Sequence, residues 1–212
     1  MSRRIAALVL GCAVAGAACG VGTASLAPSG PVGLPTAGGC PSSQPPALVA
    51  GETRTVTIET SEGRIVLRVE GSLSPIAAGN FAALATCGYY DGVAFHRAAT
   101  LENGTPFVIQ GGDPTGSGSG GPGYTIQDEP VTATYRRGTV AMARSNQPNS
   151  QGSQFFIVLS EAAGPILADF NTYGIFGAVV EGMDVADAIY AAADAELPTN
   201  PIAMDRVTVS SP

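Results

Sequence analysis

His96 and Arg97 stand side by side in Phe95-His96-Arg97, the first stretch of the chain whose residue types suggest chemistry. His96 is the only histidine, and Arg97 is one of ten arginines in a chain without a lysine. Gln110 follows in Phe107-Val108-Ile109-Gln110-Gly111-Gly112-Asp113, and Gln154 in Ser153-Gln154-Phe155-Phe156-Ile157. Without lysine, neither Schiff-base catalysis nor a phosphate-binding P-loop is available. No Gly-x-Ser-x-Gly elbow is present, so a hydrolase would depend on His96 alone, which between Phe95 and Arg97 on a strand reads as a packed residue. No carboxylate pair is placed for glycoside hydrolysis. One histidine and no Cys-x-x-Cys spacing give no expected metal site, and no cofactor is expected. Gly116 to Gly121 matches Gly-x-Gly-x-x-Gly, but Pro122-Gly123 and strand-like Tyr124-Thr125-Ile126 follow where a dinucleotide fold needs a helix. The remaining kit is a planar cation, two amides and aromatic rings, which grips a substrate without bonding to it.

Short strands carry these groups. Thr53–Thr60 and Gly63–Val69 alternate β-branched and polar residues around Ser61-Glu62-Gly63, a hairpin pattern. Ser74-Pro75 reads as a cap and first turn of a helix whose apolar face holds Ile76, Phe81 and Leu84, ending at Gly88. Strands are then expected at Val93–Arg97, Phe107–Ile109, Thr139–Ala143, Gln154–Leu159, Tyr173–Val180 and Ile202–Ser210, with a second helix at Asp184–Ala193. On the strand from Gln154, alternation puts Gln154, Phe156 and Val158 on one face and Phe155, Ile157 and Leu159 on the other. About eight strands and two helices describe a mainly β domain, and spacing alone leaves sandwich and barrel undecided.

Six motifs in order resemble the cyclophilin family of peptidyl-prolyl cis-trans isomerases: Phe95-His96-Arg97, Phe107-x-x-Gln110-Gly111-Gly112-Asp113-Pro114, Gly118-x-Gly120-Gly121-Pro122-Gly123-Tyr124, Gly138-x-x-Ala141-Met142-Ala143-Arg144, the run from Pro148 to Ile157, and Phe176-Gly177-x-Val179-x-Glu181-Gly182-Met183. The resemblance spans about residues 53–210. It implies a closed eight-stranded antiparallel barrel capped by two helices, and isomerisation of X-Pro bonds in proline-containing polypeptides. It further implies Arg97, Gln110 and Tyr173 as the catalytic group, with Arg97 donating to the prolyl nitrogen. Phe107, Val108 and Phe156 would line the proline pocket, Gln154 would orient the substrate beside Gln110, and Ala143 and Arg144 would offer backbone to it. The departures are a long Ala98–Pro106 segment, Tyr173 where many members have histidine, and no tryptophan, with Leu167 the candidate for the indole's position. The altered segment keeps one alternative open, a cyclophilin-fold chaperone or peptide-binding module with little turnover.

The first 19 residues, with Arg3 and Arg4 ahead of an apolar run, read as a signal peptide, and Ala17-Ala18-Cys19-Gly20 resembles a lipoprotein cleavage site with Cys19 as the lipidated residue. Residues 20–50 are rich in Gly, Pro, Ser and Ala and read as a tether, leaving 51–212 as the domain. Membrane attachment through that lipid and an extracytoplasmic location follow as expectations. Cys40 and Cys87 then remain, a candidate disulfide in an oxidising compartment, with two free thiols the alternative. The chain's net charge of −7 becomes −9 once Arg3 and Arg4 leave, which excludes nucleic acid as a partner. A monomer is expected.

Overall fold

The computed structural model describes residues 39–210. The signal peptide and Cys19 lie outside them. The elements, in order, are β1 Thr53–Thr60, β2 Gly63–Glu70, α1 Pro75–Thr86, β3 Arg97–Thr100, β4 Pro106–Gly111, β5 Thr139–Met142, β6 Phe155–Val158, α2 Ala163–Phe170, β7 Ile175–Glu181, α3 Met183–Ala192 and β8 Arg206–Ser210. The eight strands form one antiparallel sheet in the order β3-β4-β6-β5-β7-β2-β1-β8.

The sheet curls until its edges meet. β3 and β8 do not pair along their lengths; the segments leading into them do, through an antiparallel bridge between Ala94 and Ala203. Gly92 N–H donates to Met204 O at 2.7 Å, Met204 N–H to Val93 O at 2.9 Å, and Phe95 N–H to Ile202 O at 2.9 Å. A strand at Val93–Arg97 is therefore replaced by this seam, with regular pairing starting at Arg97.

Alternation divides the side chains into two clusters. One face turns Ile58, Leu67, Ile109, Val140, Phe155, Ile157 and Phe176 into the larger core, where α1 adds Phe81 and Leu84, and α3 adds Ala186 and Ile189. Phe81 lies at the centre of its aromatic packing, 4.7–5.1 Å from the rings of Tyr90, Phe155 and Phe176. The opposite face gives Val108, Ala141, Phe156, Val158 and Ile175 to a smaller cluster covered by Ala163 and Leu167 of α2. Only two helices were expected. The third, α2, is eight residues long and carries Gly164 and Pro165 in its first turn, too short for a periodic stripe to show.

Helix α1 starts at Pro75 as expected, but Ser74 makes no capping bond. The Glu129 carboxylate, from a distant loop, accepts from Ile76 N–H and Ala77 N–H, each at 2.9 Å. At the other end Gly88 takes φ +78°. There Gly88 N–H donates to Ala85 O and Tyr89 N–H to Leu84 O, the paired bonds of a Schellman turn.

Residues 39–50, assigned by composition to the tether, lie on this framework. Cys40 and Cys87 are joined by a disulfide with Cα atoms 5.2 Å apart. Leu48 is buried, and its N–H donates to Pro75 O at 2.9 Å.

Candidate active site

Strand register assembles the site. Arg97 of β3 opposes Gln110 of β4, Gln110 opposes Phe156 of β6, and Phe156 opposes Ala141 of β5. Directly paired residues share a face, so these form one row across four strands, on the side away from the larger core. Arg97 Nη1 donates to Gln110 Oε1 at 3.3 Å, and Gln110 Nε2 donates to Gln154 Oε1 at 2.9 Å. Gln154 Nε2 in turn donates to the carbonyls of Gly118 and Gly120, at 3.0 and 2.9 Å. Each amide is thereby oriented, oxygen toward the arginine side, nitrogen toward the glycine loop.

Buried Asp113 holds that loop in place. Its carboxylate accepts from Thr115 N–H at 2.7 Å, Thr115 Oγ1 at 2.8 Å and Gly120 N–H at 2.9 Å. Burial raises the Asp113 pKa, but the bonds from Gly120 and Thr115 outweigh it and hold the group below the usual aspartate value. Only glycine fits at 120, because a Cβ there would sit 2.0 Å from Asp113 Oδ1.

The apolar half of the site comes from the smaller cluster. Val108, Phe156 and Leu167 are buried in it, and half-buried Phe107, Ala143 and Tyr173 pack at its margin. Strict alternation would turn Phe107 away from Val108. A bulge opposite Ala99 and Thr100 leaves Phe107 unpaired, so both neighbours reach the same cluster. The Tyr173 ring meets Phe156 edge-on at 5.4 Å. Leu167 belongs to the wall of this cluster, 4% exposed, and not to its rim. Ala143 N–H is already given to Gln154 O at 2.8 Å, which leaves the Ala143 carbonyl and the Arg144 backbone to meet a ligand. The Arg144 side chain pairs with Asp128 at 3.1 Å and donates to Gln147 O at 2.8 Å, so it braces its own loop.

The long Ala98–Pro106 segment extends the β3–β4 hairpin. Leu101 N–H donates to Thr105 O at 2.8 Å, and Thr100 Oγ1 lies 2.6 Å from the Tyr190 hydroxyl of α3. The extra residues thus end in a turn, and the Arg97–Gln110 register is undisturbed. His96 is buried, both ring nitrogens lack a hydrogen-bond partner among the described residues, and burial lowers its pKa. One contact has no counterpart in the sequence reading: Glu196 Oε1 accepts from Arg97 Nε at 2.7 Å and lies 2.6 Å from Nη2. Ninety-nine residues separate the pair, and no local pattern announces it. Among the described residues no cluster of His, Cys, Asp or Glu forms a metal site.

The arrangement is an apolar surface flanked by fixed amide and guanidinium donors, suited to a ligand both apolar and amide-bearing. The family of cyclophilin-type peptidyl-prolyl cis-trans isomerases matches residues 55–209. A peptidyl-prolyl cis-trans isomerase of Schizosaccharomyces pombe is 42% identical over 134 residues, covering 61% of this chain and 81% of the relative. Peptidyl-prolyl cis-trans isomerase A of Mycobacterium tuberculosis is 35% identical over 179 residues, covering 74% of this chain and 93% of the relative. A Cryptosporidium parvum cyclophilin-type isomerase superposes with a TM-score of 0.64 at 32% identity, covering 76% of this chain and 99% of that one. The same protein in the presence of the dipeptide Ala-Pro superposes with a TM-score of 0.63. The chain belongs to the cyclophilin-type peptidyl-prolyl cis-trans isomerases, and its activity is the isomerisation of peptidyl-prolyl bonds.

Proposed function

We propose that this isomerase works without covalent chemistry, by favouring the twisted prolyl amide over the planar one. Rotation about the amide costs about 18–20 kcal/mol because resonance is lost, and as it is lost the nitrogen lone pair becomes localised. Arg97 donates to that lone pair, an interaction the planar amide cannot match, so it lowers the barrier instead of merely binding substrate. Phe107, Val108 and Phe156, walled by Leu167, hold the proline ring. Gln110, held in orientation by Gln154, donates to the neighbouring carbonyl, the backbone of Ala143 and Arg144 meets the residues before proline, and the Tyr173 hydroxyl bonds the substrate. The observation that carries the reading is the continuous chain from Arg97 through Gln110 to Gln154 beside the apolar cluster. The Ala-Pro dipeptide used with the Cryptosporidium parvum protein supports a proline-containing polypeptide as the ligand class.

The test is a protease-coupled X-Pro assay on wild type and Arg97→Ala. A fall in kcat/KM of about 10²–10³ is expected for losing one transition-state donor; a folded variant with unchanged rate would overturn the assignment.

The setting belongs to the same proposal. The enzyme acts outside the cytoplasm as a monomer, held to the membrane through a lipid on Cys19, and assists folding of exported proteins where disulfides persist. Mass spectrometry of the mature N-terminus decides the anchor: a diacylglyceryl mass on Cys19 supports it, and an unmodified residue further along refutes it.

A further inference from the structure

We infer that Glu196 is a positioning residue for Arg97, fixing which of its N–H groups face the substrate; this rests on Arg97 being the donor to the prolyl nitrogen. The segment that carries Glu196 is tied down at Glu196 itself and again at Ile202. Glu196 O accepts from Ala98 N–H at 2.8 Å, and Ile202 O accepts from Phe95 N–H at 2.9 Å, so the loop runs beside the residues that flank Arg97. Asp194 Oδ1 accepts from Thr199 N–H at 2.9 Å and closes a turn around Glu196. The carboxylate is therefore delivered by backbone already held in place.

The carboxylate takes the guanidinium side-on. Oε1 engages Nε at 2.7 Å and Nη2 at 2.6 Å, while Gln110 takes Nη1 at 3.3 Å. A guanidinium has five N–H donors in one plane. Three are engaged, and the two that remain are fixed in direction because the plane is held at both edges. Without Glu196 the one hydrogen bond left to the Arg97 guanidinium among the described residues is the longer one to Gln110, and a flexible side chain would sample positions in which no donor meets the prolyl nitrogen.

Stability does not explain the contact. The Glu196 side chain is 56% exposed, and pairs this wet contribute little to folding. Placement within reach of a substrate makes a functional account the better one, since small misplacements of a reacting group are costly in rate.

The test compares Glu196→Ala, Glu196→Gln, Arg97→Ala and the Glu196→Ala/Arg97→Ala double variant in the full chain. Glu196→Ala is expected to lower kcat by about tenfold, well within the hundredfold that a 1 Å misplacement can cost. Affinity for an X-Pro peptide and the melting temperature should stay unchanged. Glu196→Gln, which keeps an acceptor oxygen, should recover most of the rate. The Arg97 Nε–H resonance should be protected in wild type and in Glu196→Gln and exchange-broadened in Glu196→Ala. In the Arg97→Ala background, removing Glu196 should change nothing further. Glu196→Ala at or above the wild-type rate, or a loss that persists without Arg97, would overturn the inference while leaving Arg97's role intact. Full activity in Arg97→Ala alone would overturn that role, and the inference with it.

Discussion

His96 and Arg97 are adjacent and meet opposite fates. Arg97 keeps its guanidinium at the surface of the site, 17% exposed, where a charge can be used. His96 is buried, and the cost of charging it there lowers its pKa, with Asp113 pulling the other way and Arg97 adding to the depression. A group whose folded pKa lies below its unfolded value of about 6.5 stabilises the fold fully above that value. That stability is lost as pH falls through the folded pKa, because the unfolded chain takes up the proton first. The carboxylates titrate about two units lower, and no other histidine exists to confuse the window. Calorimetric melting temperatures should therefore decline between about pH 7 and pH 5 in wild type. The slope over that range should flatten in His96→Gln whatever its absolute stability; an unaltered slope would show that His96 titrates normally.

At the scale of elements, α1 shows where a sequence signal is right in outcome and wrong in cause. Ser74-Pro75 marks the start of the helix, yet the orphan N–H groups of Ile76 and Ala77 are satisfied by Glu129, 53 and 52 residues away. Glu129→Ala should cost about 1–2 kcal/mol in urea unfolding, the value of a helix cap. Ser74→Ala should stay within about 0.5 kcal/mol, since the buried Ser74 Oγ has no partner to lose. Equal losses would return the cap to Ser74. The same division runs through the fold. The β1–β2 hairpin was legible almost residue for residue, because alternation is a local signal, and Phe156 fell on its predicted face for the same reason. The Ala94–Ala203 seam, the bulge that turns Phe107, the short helix α2 and the Glu196 contact were not legible. The seam and the Glu196 contact join residues about a hundred positions apart, the bulge depends on strand register, and α2 is one short amphipathic turn pair without a stripe. For the candidate site, motif order supplied the residues, and only the register supplied their common face.

On the scale of the whole molecule, the proposed isomerase site and the chain's one described cross-link lie in different parts of the core. Cys40 and Cys87 pack against the larger cluster, together with α1, whereas Phe107, Phe156 and Tyr173 belong to the smaller one. The bond closes a loop with a sequence separation of 47. It pins residues 40–50 against α1, where Leu48 is bonded to Pro75, and beside the loop at Gln127, whose N–H donates to Gln44 Oε1 at 3.0 Å. A loop of that size is expected to stabilise the fold by about 2–4 kcal/mol, chiefly by restricting the unfolded chain. The effect should therefore appear in unfolding and not in catalysis. In the Cys40→Ala/Cys87→Ala variant the urea midpoint should drop accordingly, and the urea slope should rise as the unfolded state gains surface. Well below the melting temperature, kcat/KM on an X-Pro peptide should match wild type. A loss of activity at unchanged stability would mean that the stapled segment acts on the site directly, and the separation of the two clusters would not describe how this enzyme works.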